Sequence, residues 1–220
     1  MKKLIITSAI ISSALCITAC GGGQTEQSSE ASVTEGAQTE EMASEGASNE
    51  EMVFAVNNEE SNIRWEGGTS GAKVYSHFGN ISIKEGSLSV SGDQITSGNF
   101  VVDMTTIEPT DENYGEESPK EKLVGHLTTG DFFLVEEFPT ASFVVKKHEG
   151  DKVIGDLTIR GNTNEEAVMI EKMEVTEDGV NAKGKLVFDR QKYEVAWAHF
   201  LKDVILSDEI SLDIDLVAKK

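Results

Sequence analysis

The sequence predicts an all-β domain built on one antiparallel sheet, and three observations lead there. Apolar residues recur with period two: Val180, Ala182, Gly184, Leu186 and Phe188 alternate with polar neighbours, as do Ile210, Leu212, Ile214 and Leu216. Turn-forming clusters separate such runs at short intervals, and short links favour antiparallel neighbours over helical crossovers. Only one helix is signalled. A sheet with one apolar face must close into a barrel or pack as a sandwich, and alternation alone does not separate these two.

Taken in order, the chain starts with Lys2 and Lys3 followed by an apolar run from Leu4 to Ile17, the form of an export leader. The run is short for a transmembrane helix, which needs about 20 apolar residues. Ile17-Thr18-Ala19-Cys20 reads as a lipobox. Small Ala19 lets a signal peptidase close on the backbone, whereas Leu15 before Cys16 is too bulky. Residues 1–19 are therefore expected to be removed and Cys20 to carry acyl chains of the palmitate type, which hold the protein on a membrane. Gly21 is not the aspartate that retains some lipoproteins at inner membranes, which points to the outer membrane of a cell envelope. Cys16 leaves with the leader, so the mature chain is expected to have no disulfide and to rely on its own core.

Residues 20–52 consist mainly of Gly, Ser, Thr, Ala, Gln and Glu, with Val33 the one β-branched aliphatic. Such a segment cannot bury enough apolar surface to offset its ordering entropy. It reads as a flexible acidic tether with a mean reach on the order of 30 Å. The formal net charge is −20, with eight glutamates and no basic residue between Gly21 and Glu51. A surface this acidic repels phosphate backbones and anionic headgroups, which argues against nucleic-acid binding and leaves membrane attachment to the acyl chains.

Residues 53–220 form a single domain of ordinary size. Counting from Asn62 gives about eight strands. The runs Phe100-Val102-Met104, Ala141-Phe143-Val145 and Val153-Leu157-Ile159 join the two already named. Glu85-Gly86, Ser91-Gly92-Asp93, Glu149-Gly150-Asp151, Arg160-Gly161-Asn162 and Glu177-Asp178-Gly179 are the expected turns between them. The helix is signalled by Ser118 as N-cap, Pro119 at the first helical position and Glu121 completing a capping box, with Gly125 as its stop. A second helical turn around Ala196 to Lys202 is weakly signalled.

Several ordered blocks resemble the YceI-like proteins of bacteria over Val53 to Lys220. They run from Ser61-Asn62-Ile63-Arg64-Trp65-Glu66-Gly67 and His77-Phe78-Gly79-Asn80-Ile81 to Gly98-Asn99-Phe100-Val101-Val102-Asp103-Met104. The most specific is Lys122-Leu123-Val124-Gly125-His126-Leu127, continuing through Gly130-Asp131-Phe132-Phe133 to Phe138-Pro139-Thr140-Ala141-Ser142-Phe143. Gly155-Asp156-Leu157-Thr158-Ile159-Arg160-Gly161 and Phe188-Asp189-Arg190 follow. The resemblance implies a lipocalin-like antiparallel barrel with a short covering helix and an elongated apolar cavity for a polyisoprenoid chain. The chain departs from the pattern over Gln191 to Val204, where the usual glycine-rich stretch is missing.

Candidate ligand contacts are aromatic: Trp65, Phe78, Phe100, Phe132, Phe133, Phe138, Phe143 and Trp197. An isoprenoid lipid or quinone tail requires little beyond apolar area, worth about 25 cal/mol per Å² removed from water. The plainer reading packs each of them in a filled core. Adjacent Phe132 and Phe133, taken as strand residues, point to opposite faces. His126 and Asp131 are candidate polar rim residues. Their structural reading has His126 capping the helix and Asp131 satisfying turn amides. Family position suggests an Asp103–Arg190 ion pair.

No catalytic residue is assigned, since nucleophile, metalloprotease and P-loop motifs are missing. His77, His126, His148 and His199 lack metal-ligand spacing. Asp111-x-Asn113-x-Gly115 imitates an EF-hand start, but Lys122 stands where a ligating glutamate belongs. The expectation is a lipid-anchored carrier or storage protein for an apolar lipid, without enzymatic activity or other cofactor. Its rival is an envelope-stress or surface module with a packed barrel. Small Ala141, Gly155, Ala182 and Gly184 favour a cavity.

Overall fold

A computed structural model describes residues 50–71, 74–198 and 204–220. The leader, Cys20, most of the tether, His199 and the end of the weakly signalled helical turn lie outside the described residues. Among the described residues nine strands are present: β1 (Met52–Val56), β2 (Asn62–Gly71), β3 (Ser76–Ser91), β4 (Gln94–Pro109), β5 (Thr140–Glu149), β6 (Lys152–Ile159), β7 (Asn162–Val175), β8 (Gly179–Asp189) and β9 (Val204–Lys219). All pairings are antiparallel and follow the order β1-β3-β2-β9-β8-β7-β6-β5-β4. Pairing of β3 with β4 closes the ring, so the sheet is a lipocalin-like barrel and not a sandwich.

The period-two runs set the inner wall; Glu85-Gly86, expected as a turn, instead lies inside β3 beside an irregularity in its pairing with β4. Along β8, inward Val180, Ala182, Gly184, Leu186 and Phe188 are buried while Asn181, Lys183, Lys185 and Val187 are exposed. Eight strands from β2 onward form the ring, and β1 extends one of them. Near the β1 end, β3 pairs Met52–Ala55; nearer the helix it pairs β2 from Ile63 to Gly68. Strand β9 makes the same change of partner. The jog between β1 and β2 is an Asx turn, in which Asn57 Oδ1 accepts the amides of Glu59 and Glu60 at 3.1 and 3.3 Å. Val217 bridges the gap: its carbonyl accepts the Asn57 amide at 2.8 Å and its amide donates to Ser61 Oγ at 3.0 Å. One stave is thus shared by two strands.

The β6–β7 turn needs positive φ at two successive residues, Arg160 (φ 51) and Gly161 (φ 75), the backbone of the tight turns whose twist matches a hairpin. Arg160 is held there by its guanidinium, which donates to the Glu194 carbonyl at 2.7 Å.

Helix α1 (Lys120–Thr128) begins later and ends later than its sequence signals indicate. Pro119, not Ser118, is the N-cap, and it offers no side-chain cap. Ser118 is instead drawn into a two-way backbone bridge with Gly115, at 3.1 and 3.2 Å. Gly125 lies inside the helix, because the final carbonyls are satisfied by hydroxyls: Thr128 Oγ1 donates to Val124 and Thr129 Oγ1 to Gly125, both at 2.8 Å. A 3-10 turn at Arg190–Tyr193 follows β8, and the described part of the Ala196 region is irregular. Among the described residues, no helix is long and apolar enough to cross a membrane.

Candidate functional site: an apolar barrel cavity with a polar corner

The barrel encloses a cavity of about 230 Å³. One water needs roughly 10–15 Å³ on a comparable measure, so the space is far larger than a packing defect. Its walls come from strands all round the ring, mostly aliphatic side chains such as Ile63, Ile83, Leu157 and Leu212. Few polar atoms face it, so water inside finds few partners.

Small residues shape this space unequally. Ala141, Ala182 and Gly184 line it. Gly155 does not: an added Cβ would lie 2.6 Å from Phe143 Cζ. Gly155 lets the Phe143 ring lie against the wall, and so makes room for an aromatic and not for a void.

One end is covered by α1, the turn after it and the segment after β8. Leu123 and Leu127 of α1 line the cavity together with Phe132 and Phe133. Phe132 and Phe133 sit in a turn, not a strand, so the alternation rule does not apply and both rings face the cavity, 6.2 Å apart. Arg190 anchors the outer segment. Its buried guanidinium donates to the carbonyls of Ser207 at 2.9 Å, Trp197 at 3.1 Å and Val195, and pairs with Asp208 at 2.9 Å. Burial pulls its pKa down while the Asp208 and Asp189 carboxylates push it back up. The expected Asp103–Arg190 pair does not form. Asp103 instead accepts from the Thr105 amide and hydroxyl within a bulge of β4.

Toward the start of β3 the inward-facing row reads Ile83, Ile81, Gly79, His77. His77 lines the cavity and hydrogen-bonds through Nδ1 to both oxygens of Asp111, at 3.1 and 3.2 Å. The Asp111 side chain is 1% exposed. It also accepts from the Tyr114 hydroxyl at 2.7 Å, the Asn113 amide at 2.9 Å and the Phe78 amide at 3.2 Å. Burial pushes the Asp111 pKa up, but the hydrogen bonds from Tyr114, Asn113, His77 and Phe78 together hold it below the ordinary carboxylate value. The Tyr114 phenol is pushed well up by burial and by the adjacent carboxylate. Its ring stacks on the imidazole at 5.3 Å, with Tyr75 edge-on at 5.4 Å.

Five sequence candidates, Trp65, Phe100, Phe132, Phe133 and Phe143, line the cavity. The structure moves the other three away from it. Phe78 follows inward-facing His77 and therefore points outward, beneath the Arg64 guanidinium at 4.3 Å. Phe138 packs on the β6–β7 turn, its Cε1 3.0 Å from where a Cβ on Gly161 would sit. Trp197 backs Phe132 and His126, at 5.6 and 5.5 Å. The polar pair is also displaced from the lining. His126 and Asp131 bond each other at 2.7 Å in the partly exposed covering layer, so neither fills its helix-cap or turn role alone. Sequence reasoning passed over His77 and Asp111 as ligand-facing groups. They lie 34 residues apart, and the inward phase of His77 relative to Ile81 and Ile83 was the available signal. Among the described residues, no group of three or more His, Cys, Asp or Glu side chains is placed to hold a metal.

Comparison with known proteins agrees with this architecture. BcnA of Burkholderia cenocepacia superposes with a TM-score of 0.55 at 18% identity, over 74% of this chain and 99% of that one, a likeness of fold. A UPF0312 protein of Staphylococcus aureus strain USA300 is 36% identical over 96 residues, 40% of this chain and 56% of its own length. The chain thus spans about half the length of the curated relatives it matches. The YceI-like domain matches residues 54–218, nearly the whole barrel, and the chain belongs to the YceI-like family.

Proposed function

We propose that this is a membrane-anchored lipoprotein that binds an apolar, polyisoprenoid-type lipid in its barrel, as a carrier or store of the cell envelope. The cavity is the observation that carries the reading. At roughly 24 cal/mol per Å³, leaving about 230 Å³ empty costs on the order of 5 kcal/mol, comparable to the whole stability of many domains. A chain-like apolar ligand that fills the space recovers much of that cost. The lining suits a tail of repeating apolar units, a prenyl chain or the tail of a quinone, because it offers area and almost no directional bonds.

The acylated Cys20 supplies the membrane attachment, and the acidic tether lets the barrel reach a donor or acceptor of its cargo. Gly21 favours the outer membrane. The chain works without a catalytic step in this reading. The rival, a packed interaction module without ligand, is disfavoured by the unfilled interior.

The test is native mass spectrometry of the barrel domain purified from its host without detergent, followed by addition of a polyprenol and a quinone. Copurified or added lipid bound one to one supports the reading. A protein that carries nothing and binds neither lipid overturns it. Metabolic labelling with a fatty acid, lost in Cys20→Ser, tests the anchor separately.

A further inference from the structure

We infer that the helix-bearing end of the barrel is a membrane-docking face, and that Val74, Tyr75 and Ile205 seat it on a bilayer with zwitterionic headgroups. The inference rests on the membrane-anchored, lipid-binding reading above and adds which surface meets the bilayer.

The two ends of the barrel differ. At the β1 end, Phe54, Leu88, Val90, Val180 and Ala218 are at most 1% exposed, and none of them lines the cavity. They form a solid plug, so that end is blind. The cavity instead runs up to Leu123, Leu127, Phe132 and Phe133 at the helix-bearing end. The β2–β3 hairpin stands beside this cover. Thr110 and Asp111, which lead from β4 toward α1, donate their amides to the Phe78 carbonyl near the start of β3 at 2.8 and 3.3 Å.

On that hairpin apolar surface is turned to solvent. Val74 is 80% exposed, the most of any large apolar side chain among the described residues, and Tyr75 is 37% exposed. Ile205, 59% exposed, stands close by. Ser70 pairs with Ile205 on one side of β2, and Thr69 donates its amide to the Tyr75 carbonyl at 2.9 Å on the other. The three side chains thus flank the end of β2 as one lip, whereas exposed Val53, Val144, Met169 and Val187 are spread over β1, β5, β7 and β8. Val74 and Ile205 supply area to withdraw from water, and a tyrosine has the apolar body and polar tip that suit a headgroup boundary.

Chain length and charge name the occupant. The first described residues lie at the blind end, where Glu51 accepts from the Thr96 hydroxyl and Met52 pairs with Val90. About 30 residues separate Glu51 from Cys20, and a chain of that length extends to on the order of 100 Å. The longest strands, of 16 residues, span only about 50 Å. Acyl chains on Cys20 therefore leave the helix-bearing end free to turn toward the membrane that holds them. Lys120 and Arg190 at this end are already paired with Glu108 and Asp208, and Glu112, Glu116 and Glu117 follow β4. An anionic surface meets like charge there, and a zwitterionic one does not.

The test uses the acylated full chain as four variants, Val74→Cys, Ile205→Cys, Val53→Cys and Val144→Cys. Each carries an environment-sensitive dye and is reconstituted on phosphatidylcholine vesicles containing a brominated lipid, with flotation as the check of attachment. The dye is expected to shift to the blue and be quenched at 74 and 205, and to do neither at 53 and 144. Replacing part of the phosphatidylcholine by phosphatidylglycerol should lower the quenching. Equal signals at all four positions, stronger contact at 53 or 144, or quenching that rises with the anionic lipid would overturn the inference while the anchored, lipid-binding reading stands. So would a blue shift at 74 that grows with concentration in lipid-free protein also carrying Cys20→Ser, since that puts a second copy on the lip. An acylated chain that does not float with the vesicles would overturn the anchored reading and this inference together.

Discussion

Gly79→Ala tests whether a single close approach between strands builds the polar corner. Gly79 faces Pro109 where β3 and β4 cross. A Cβ there would lie 2.7 Å from both Pro109 Cα and the Glu108 carbonyl carbon, and nearer still to the Glu108 oxygen. Ordinary contact begins near 3.4 Å, so relieving the 2.7 Å contacts alone parts the strands by about 0.7 Å, and the nearer Glu108 oxygen demands more. These atoms are backbone and cannot swing aside. The movement carries away Thr110 and Asp111, whose amides donate to Phe78 O at 2.8 and 3.3 Å. It also stretches the His77–Asp111 contact of 3.1 Å beyond hydrogen-bonding length. Overpacking of this kind costs about 1–3 kcal/mol, which lowers the melting temperature of a domain this size by about 2–4 °C per kcal/mol. Urea denaturation and thermal melts measure the loss. Gly115→Ala is the control, since a Cβ there meets nothing within 4 Å, and it should stay within about 0.5 kcal/mol of the parent. If Gly79→Ala is as stable as Gly115→Ala, the close approach does not hold the corner together and the reasoning fails.

Other perturbations act on separate parts of the molecule. Asp111→Asn should lower stability at neutral pH. The depressed folded pKa of Asp111 means its stabilising effect is full above the ordinary value of 3.8 and fades as pH falls through the folded value. The gap between parent and variant in urea midpoint should therefore close on acidification below about pH 4, and a gap that widens there refutes the assignment. Arg190→Lys keeps the charge but cannot reach the carbonyls of Ser207, Val195 and Trp197 together. A loss of at least about 2 kcal/mol is expected from the orphaned acceptors, read by urea denaturation. Ala141→Phe puts a ring into the cavity from its wall. Prenol binding measured by fluorescence displacement should weaken at least about tenfold, with the far-ultraviolet circular dichroism of the barrel kept.

The wall of the barrel was legible because alternation is a local property. The runs in β4, β5, β6, β8 and β9 each declare their inner face within a few residues, and the glycine-bearing turns between them mark the hairpins. Closure into a ring is not local: it depends on β3 meeting β4 along sixteen-residue strands, and family resemblance supplied what periodicity left open. The errors have particular causes. Phe132 and Phe133 would point to opposite faces on a strand, but they occupy a turn. Ser118 has the composition of a helix cap, yet its backbone is committed to Gly115. Phe78 is an aromatic candidate for a lipid site, yet residue phase turns it outward and puts His77 inside. The polar corner itself arises from a tertiary crossing, so neither His77 nor Asp111 marks it alone.

The sharing of one stave by β1 and β2 also governs how the protein meets its surroundings. Because Ser61 and Val217 seal the join, no row of free amides and carbonyls opens there onto which another chain can add a strand. In the lipid-binding reading proposed above, cargo would pass through an end of the cylinder. Of the two, the helix-bearing end is the one fastened by side chains, chiefly the guanidinium of Arg190 and the tilted ring contacts of Trp197 with Phe132 and His126, and not by sheet pairing. Such fastenings release one at a time, whereas a ladder of strands must part as a whole.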